Sequence, residues 1–267
     1  MSPHVHAQKK KSLRRSRLAV AFAIFIGIIC FSAFLISSFL SQPSTIQQTS
    51  STSELKAVIV DHLSLSRPNR TFIQTATDIL EEAGYTVDYY EGEQVTVERY
   101  RNLPTHGYSL IILRVHSALG PNDAPPLGLF TSESFSETKY LPELLNDQLL
   151  MAAFEPYEPG DPTFFGIPPK FVTFSMNGKF QNSTVIHMGC DGLVYNGMAE
   201  AFIHKGAEAY VGWNGPVLAR HTDHVTARLL KHLVNEKQTI KQAVAETMRD
   251  VGPDPVYDSL LLSYPEL

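Results

Sequence analysis

Leu18 to Leu40 is a run of 23 residues without a charged side chain, and it divides the chain into parts that cannot share one core. As a helix rising about 1.5 Å per residue, such a run is long enough for a bilayer core of roughly 30 Å. Six cations, Lys9, Lys10, Lys11, Arg14, Arg15 and Arg17, precede it, and residues 1–50 hold no Asp or Glu. This asymmetry predicts a single-pass protein of the cell membrane, with a basic cytoplasmic tail (residues 1–17) and everything after Leu40 extracytoplasmic. A cleaved signal peptide shares the basic flank, but its apolar core is usually only about 7 to 15 residues long, and no A-x-A cleavage site follows here. The length therefore favours an uncleaved signal-anchor over residues 18–40. Residues 41–54, dominated by Ser, Thr and Gln, read as a flexible stalk. Residues 55–267 then form one globular domain, large enough to bury a core without metal or disulfides.

Outside the basic tail, 16 Lys and Arg stand against all 27 Asp and Glu, a formal charge of −11. The basic residues flank a membrane segment and do not form a folded basic face, so no nucleic-acid partner is expected. The two cysteines, Cys30 in the apolar run and Cys190, exclude a disulfide framework or a Cys-rich zinc module.

Within residues 55–267 short apolar runs alternate with amphipathic stretches. Leu55–Asp61, Tyr85–Tyr90, Tyr108–Val115, Thr184–Met188 and Ala209–Trp213 read as strands, and Tyr257–Ser263 can close the sheet. Phe72, Ile73, Ala76, Ile79, Leu80 and Ala83 follow helical spacing up to Gly84, and Gly197–Lys205 reads as a second helix closed by Gly206. Two more follow Trp213, the last opened by a Thr239/Gln242 capping box. The expected fold is α/β, a mostly parallel sheet covered on both faces. Ala118 to Asn182 breaks this rhythm with nine prolines and reads as a long irregular insertion, functional because it leaves a strand end where open α/β sheets bind ligands.

Motifs that are absent narrow the chemistry. No G-x-G-x-x-G follows the first strand, where Val60-Asp61-His62-Leu63 stands, and neither a phosphate loop nor a G-x-S-x-G elbow occurs. No cofactor is expected. One predicted strand ends in Leu113-Arg114-Val115-His116-Ser117, another in Ile186-His187-Met188-Gly189-Cys190-Asp191-Gly192. If the strands are neighbours, an imidazole and a thiol emerge at one edge, the minimal kit for covalent acyl transfer. The main-chain N–H groups of Cys190 and Ser117 then face a developing oxyanion. Against this stands a plainer possibility, that Cys190 is a small buried hydrophobe and His116 a hydrogen-bonded core residue.

The blocks Ile111–Ser117 and Val185–Cys190, followed by Met198-Ala199-Glu200-Ala201-Phe202-Ile203-His204-Lys205-Gly206-Ala207 and Ala209–Trp213, resemble the caspase-like cysteine peptidases. That group includes caspases, gingipains, clostripain and the CHAT domains, and the likeness is closest to the gingipain and CHAT branches. It implies a three-layer α/β/α caspase-like fold, with His116 as general acid/base and Cys190 as nucleophile. Ser117 stands where the peptidases commonly have Gly, and the Cys block is not the Gln-Ala-Cys-Arg-Gly type, so specificity for Asp is not implied. The implied specificity pocket comes from Asp191, Trp213 and Asn214. An acid beside the nucleophile favours a basic residue in a peptide or protein substrate, although Asp191 can equally cap a helix or a turn.

The expected function is thus that of a membrane-anchored cysteine peptidase. The alternative is a catalytically inactive binding or sensor domain on the same fold. A third possibility is a metal-dependent hydrolase built on His221, Asp223, His224 and His232, though His-Glu-x-x-His is absent and no metal site is favoured. His187 alternates with Ile186 and reads as a packed histidine. Of the two sequons, Asn69-Arg70-Thr71 and Asn182-Ser183-Thr184, the first is the glycosylation candidate, because the second runs into a predicted buried strand.

Overall fold

The first strand, β1 (Leu55–Asp61), is buried over its last five residues, so both of its faces must be covered. The computed structural model that shows how describes residues 55–154 and 156–266. The basic tail, the expected anchor over 18–40 and the stalk lie outside the described residues. Among those described, no helix is long and apolar enough to cross a membrane.

After β1 come α1 (Arg70–Glu82), β2 (Tyr85–Glu91), α2 (Val97–Asn102), β3 (Leu110–Arg114), β4 (Ser117–Gly120) and β5 (Ala124–Ser134). Then follow α3 (Leu141–Leu145), β6 (Leu150–Ala153), β7 (Thr163–Ile167), β8 (Ser183–His187), α4 (Gly197–His204) and β9 (Ala207–Trp213). The chain ends with α5 (Ala219–Leu230), α6 (Ile240–Val251) and β10 (Leu261–Tyr264). The main sheet has the order β10-β9-β8-β3-β1-β2, parallel throughout except for antiparallel β10.

Because successive strand side chains point to opposite faces, the sheet divides the core in two. Ala57, Ile59, Leu110, Ile112 and Ile186 pack against α1, α5 and α6. Val58, Val60, Ile111, Leu113 and Val185 pack against α2, α4 and a second sheet. Helix α1 shows why the local sequence suffices for its element. Asn69 Oδ1 accepts the Phe72 N–H at the N-terminus, Phe72, Ala76, Ile79 and Leu80 supply the buried stripe, and Gly84 turns away at φ +89°. Each large apolar side chain buried in this way contributes roughly 1.5–3 kcal/mol.

The stretch expected to be an irregular insertion instead contains a four-stranded antiparallel sheet, β4-β5-β7-β6, joined by irregular connections. Its inner face, Leu127, Leu129, Phe165 and Ile167, closes the core over the main sheet. Phe130 and Leu150 both pair with Gly166 and share the opposite face, where a Cβ on Gly166 would strike Leu150. Pairing of β5 with β7 across about 30 residues, with Pro125 and Pro126 near the start of β5 and most other prolines in the connections, hid this sheet from a local reading.

One buried ion cluster ties the C-terminal edge of the main sheet together. Arg114, at the end of β3 and fully buried, donates to Asp61 Oδ1 at the end of β1 (2.7 Å) and to both carboxylate oxygens of Asp223 on α5 (2.7 and 2.9 Å). Its remaining Nη2 hydrogen bond goes to the Arg67 carbonyl (2.8 Å). Burial pushes the Asp61 carboxyl up against the pull of Arg114. Burial likewise works against the guanidinium, but Asp223 and Asp61 hold its proton more tightly than usual. Removing one partner strands a buried charge. Asp223→Ala should therefore cost about 3–5 kcal/mol in urea unfolding, whereas an exposed control, Asp147→Asn at a solvent-facing pair with Lys170, should cost under about 1 kcal/mol. Equal, small losses at both sites would contradict a structural role for the cluster.

Candidate active site

In an open parallel sheet, the crevice beyond the strands' C-terminal ends, at the point where strand order reverses, is where ligands bind. Here the chain leaves β1 for β2 on one side and later returns to β3 on the other, so the reversal lies between β1 and β3. His62 directly follows β1 and His116 follows β3 by two residues. Leu113 on β3 is paired with His187 on parallel β8. His116 and Cys190 therefore stand at the same offset, three residues past a matched pair, on neighbouring strands. The two connections touch: the Ser117 hydroxyl donates to the Cys190 carbonyl (2.6 Å).

The His116 ring sits among His62 (centroids 5.5 Å apart), Phe130 (6.1 Å) and Phe154 (4.9 Å). Its Nε2 lies 2.9 Å from the Ser66 hydroxyl. Burial, with the fields of Arg67 and Arg114, lowers its pKa to about 4. His62 is lowered to about 4 by burial and by His116. Both rings are neutral at pH 7.

The Cys190 thiol is half-buried and engaged elsewhere. Val217 donates its N–H to Sγ (3.5 Å), and Sγ approaches the Val217 carbonyl at 3.9 Å. Burial, joined by the fields of Asp191 and Asp254, raises its pKa above that of an ordinary thiol, against the pull of Val217. Asp254 holds this strap in place by accepting the N–H groups of Leu218, Val256 and Tyr257. Thiol and imidazole share no hydrogen bond in this state.

The turn carrying Cys190 is moulded over His187. That ring is fully buried, meets the Tyr210 hydroxyl through Nδ1 (2.8 Å), and is kept neutral by burial, with a pKa lowered to about 3. A Cβ at Gly189 would lie 2.6 Å from His187 Nε2 and against Ser117 Oγ and Val115 O. A Cβ at Gly192 would lie 2.6 Å from Nδ1 of the same ring. Both glycines are thus required by close approach, which places His187 beneath the turn.

A groove of about 1260 Å³ opens from Cys190, Ser117 and Asp191 along β4 to β6 and Tyr157. Asp123 also lines it, and burial together with the Asp123 field raises the Asp191 carboxyl. Of the expected pocket residues only Asp191 faces this groove. Trp213 is fully buried and donates its indole N–H to Thr222 (3.0 Å), and Asn214 uses its side-chain oxygen to accept the Leu260 N–H (2.7 Å). The strand after the Cys turn points Trp213 into the core because its neighbours in the main sheet do the same.

The histidine group on α5 and the turn after it does not converge. Asp223 turns inward to Arg114, His221 packs on Trp213 (5.5 Å), and His232 bonds Glu236 and Asp250. Among the described residues no three potential metal ligands come together. Asn69 is the cap of α1, and its amide nitrogen, the atom a glycan would occupy, donates to Asp223 (2.8 Å). Asn182 is exposed, at φ +54°.

Sequence reasoning passed over His62, Ser66 and Phe154. His62 carried a usable signal, since it ends a predicted strand as His116 does. Ser66 and Phe154 carried none, because each meets His116 only through the tertiary fold. Compared with models of known protein families and with curated proteins, the chain matches none.

Two expectations follow from this geometry. In the unfolded chain histidines titrate near 6.5, so as pH falls from 6.5 toward 4 the unfolded state takes up protons that buried His62 and His187 refuse, and stability falls. At pH 5 each of the two should contribute a loss of about 2 kcal/mol relative to pH 7.5 in urea unfolding. A flat profile would contradict their neutral burial. Gly189→Ala should lower stability by a few kcal/mol by calorimetry, while Gly197→Ala, whose nearest neighbour is Pro169 at 3.9 Å, should be tolerated. The reverse order would refute the close packing of the Cys190 turn.

Proposed function

We propose that the domain is a cysteine peptidase of the caspase-like fold, acting outside the membrane to which residues 18–40 anchor it. The observation that supports this most is the β3/β8 register, with His116 and Cys190 at equal offsets on adjacent parallel strands and a peptide-sized groove leading away from the thiol.

In the proposed reaction Cys190 Sγ attacks the scissile carbonyl carbon, and His116 takes the thiol proton as the C–S bond forms. The tetrahedral intermediate then expels the amine, which takes that proton from His116, leaving an acyl-enzyme. Water, deprotonated by His116, releases the acid and regenerates the thiol. A thiol raised by burial and an imidazole lowered by it make a neutral resting pair, not a thiolate–imidazolium pair, so proton transfer accompanies attack. For this the thiol must leave its contacts with Val217 and meet the ring as substrate binds. Asp191 and Asp123 line the groove, which favours a Lys or Arg side chain in the substrate.

A second reading, a non-catalytic binding or sensor domain on the same scaffold, is favoured by one observation: the thiol is hydrogen-bonded to Val217 and not to His116. Labelling the full chain with a peptidyl chloromethyl ketone ending in Arg separates the two. The peptidase reading expects an adduct on Cys190, formed on the order of 100-fold more slowly in His116→Ala, and slower reaction with an Asp-ending analogue. Equal labelling of His116→Ala and the parent protein would leave the binding-domain reading.

A further inference from the structure

A base that activates a nucleophile is normally oriented by a third group bonded to its other nitrogen. No such group was apparent from the sequence, and the buried carboxylates at this edge of the sheet, Asp61 and Asp223, are taken up by Arg114. The hydrogen-bond partner that His116 has is Ser66, 50 residues away along the chain, with Oγ 2.9 Å from Nε2.

An exposed serine would ordinarily turn its hydroxyl to water. Ser66 is instead held on a clamped loop. The 3-10 turn His62–Leu65 is capped by Asp61, whose carboxylate accepts the Ser64 N–H (2.9 Å). The Ser64 hydroxyl donates to the Asp61 carbonyl and accepts from the Gly92 N–H, pinning the turn to the neighbouring strand end. Ser66 and Arg67 both donate their N–H groups to the Leu63 carbonyl, and the Arg67 carbonyl accepts from Arg114. The residues on either side of Ser66 are thus tied to the same buried cluster that holds β1, β3 and α5. On the opposite side, His62, Phe130 and Phe154 pack on the His116 ring and limit its rotation.

Resting on the peptidase reading, we infer that Ser66 is the positioning residue for His116. Its hydroxyl accepts the Nε2 hydrogen, fixing the tautomer with the proton on Nε2 and the lone pair on Nδ1. Nδ1 has no hydrogen-bond partner among the described residues and is the nitrogen left for the thiol proton. Ser66 touches neither thiol nor scissile bond in this role. The buried Arg114 cluster acts at the site through it, by holding the loop that presents the hydroxyl.

The same 2.9 Å contact also has the form of a serine nucleophile with its base. A chloromethyl ketone would then add to the Ser66 hydroxyl as a hemiketal and lose its chloride to attack by the His116 ring, an outcome the test must distinguish from alkylation of Cys190. Full-length protein labelled with ¹⁵N-histidine, in detergent at pH 7, reports the His116 tautomer through long-range ¹H–¹⁵N correlations, with His116→Gln assigning the signal. The expected result is the Nε2–H form in the parent protein, a mixed tautomer in Ser66→Ala and restoration in Ser66→Thr. In parallel, the rate at which the Arg-ending chloromethyl ketone alkylates Cys190 should fall about tenfold in Ser66→Ala, a fraction of the 10²–10⁴ that a general base contributes, and recover in Ser66→Thr. An unchanged tautomer in Ser66→Ala overturns the inference even if His116→Ala confirms the peptidase. A changed tautomer with His116→Ala labelling as fast as the parent supports Ser66 as the partner of the ring but removes the peptidase reading. A mass-spectrometric adduct on the His116 ring in place of Cys190, where a chloromethyl ketone captured by a serine nucleophile loses its chloride, overturns both.

Discussion

The buried guanidinium of Arg114 is the contact on which the C-terminal edge of the sheet depends. It sits where β1, β3 and α5 meet and gathers Asp61, Asp223 and the Arg67 carbonyl around one charge. Taking three charges out of water is expensive, and apolar residues of similar volume would serve stability as well or better. What an ion cluster supplies and apolar packing does not is direction. Five N–H donors in a rigid fork set the angle at which a loop leaves β1 and the face that α5 turns to the sheet. Asn69 joins the cluster through Asp223 while capping α1, so the start of that helix is fixed by the same group.

From this anchor the edge is built outward in neutral chemistry. Three histidines, His62, His116 and His187, lie in or under the crevice, and burial keeps each uncharged at neutral pH. The thiol is pushed in the same direction, toward its neutral form. A site of this kind holds no ion pair at rest. In the proposed reaction charge would arise in it only as a bond is made, where donors already in place count for most because the surroundings do not need to reorganise. The acids stand apart, Asp191 and Asp123 along the groove and Asp254 beneath the strap at Val217 and Leu218.

Much of the main sheet was legible because its strands are continuous apolar runs and its helices carry one apolar stripe each, patterns set within ten or so residues. The adjacency of the strands bearing His116 and Cys190 was left open by the sequence, because pairing joins β3 to β8 across about 70 residues; the parallel β3/β8 ladder supplies it. The second sheet was not legible. Its strands pair across turns and insertions, and its proline-rich borders resemble an open loop. The same limit explains the pocket residues. Asp191 could be placed beside Cys190 by sequence proximity, but whether Trp213 faced groove or core depended on the pleat of β9, which buries it beside Thr222. Asp223 read as one member of a histidine-rich group, because nothing local indicated a guanidinium 109 residues earlier as its partner.

The sequence alone determined that an uncharged 23-residue run separates a basic tail from an acidic domain, and that the domain alternates strands with helices. It also determined that an imidazole and a thiol end two of those strands. These are properties of periodicity, which backbone geometry translates directly into elements. The tertiary structure decided what surrounds the two side chains: a serine on one ring nitrogen, a phenylalanine over the ring, a backbone strap on the sulfur and a histidine beneath the turn. Each of those contacts joins residues from different elements, and their distances are set by how the sheet and the buried Arg114 cluster hold the elements together, which no local pattern encodes.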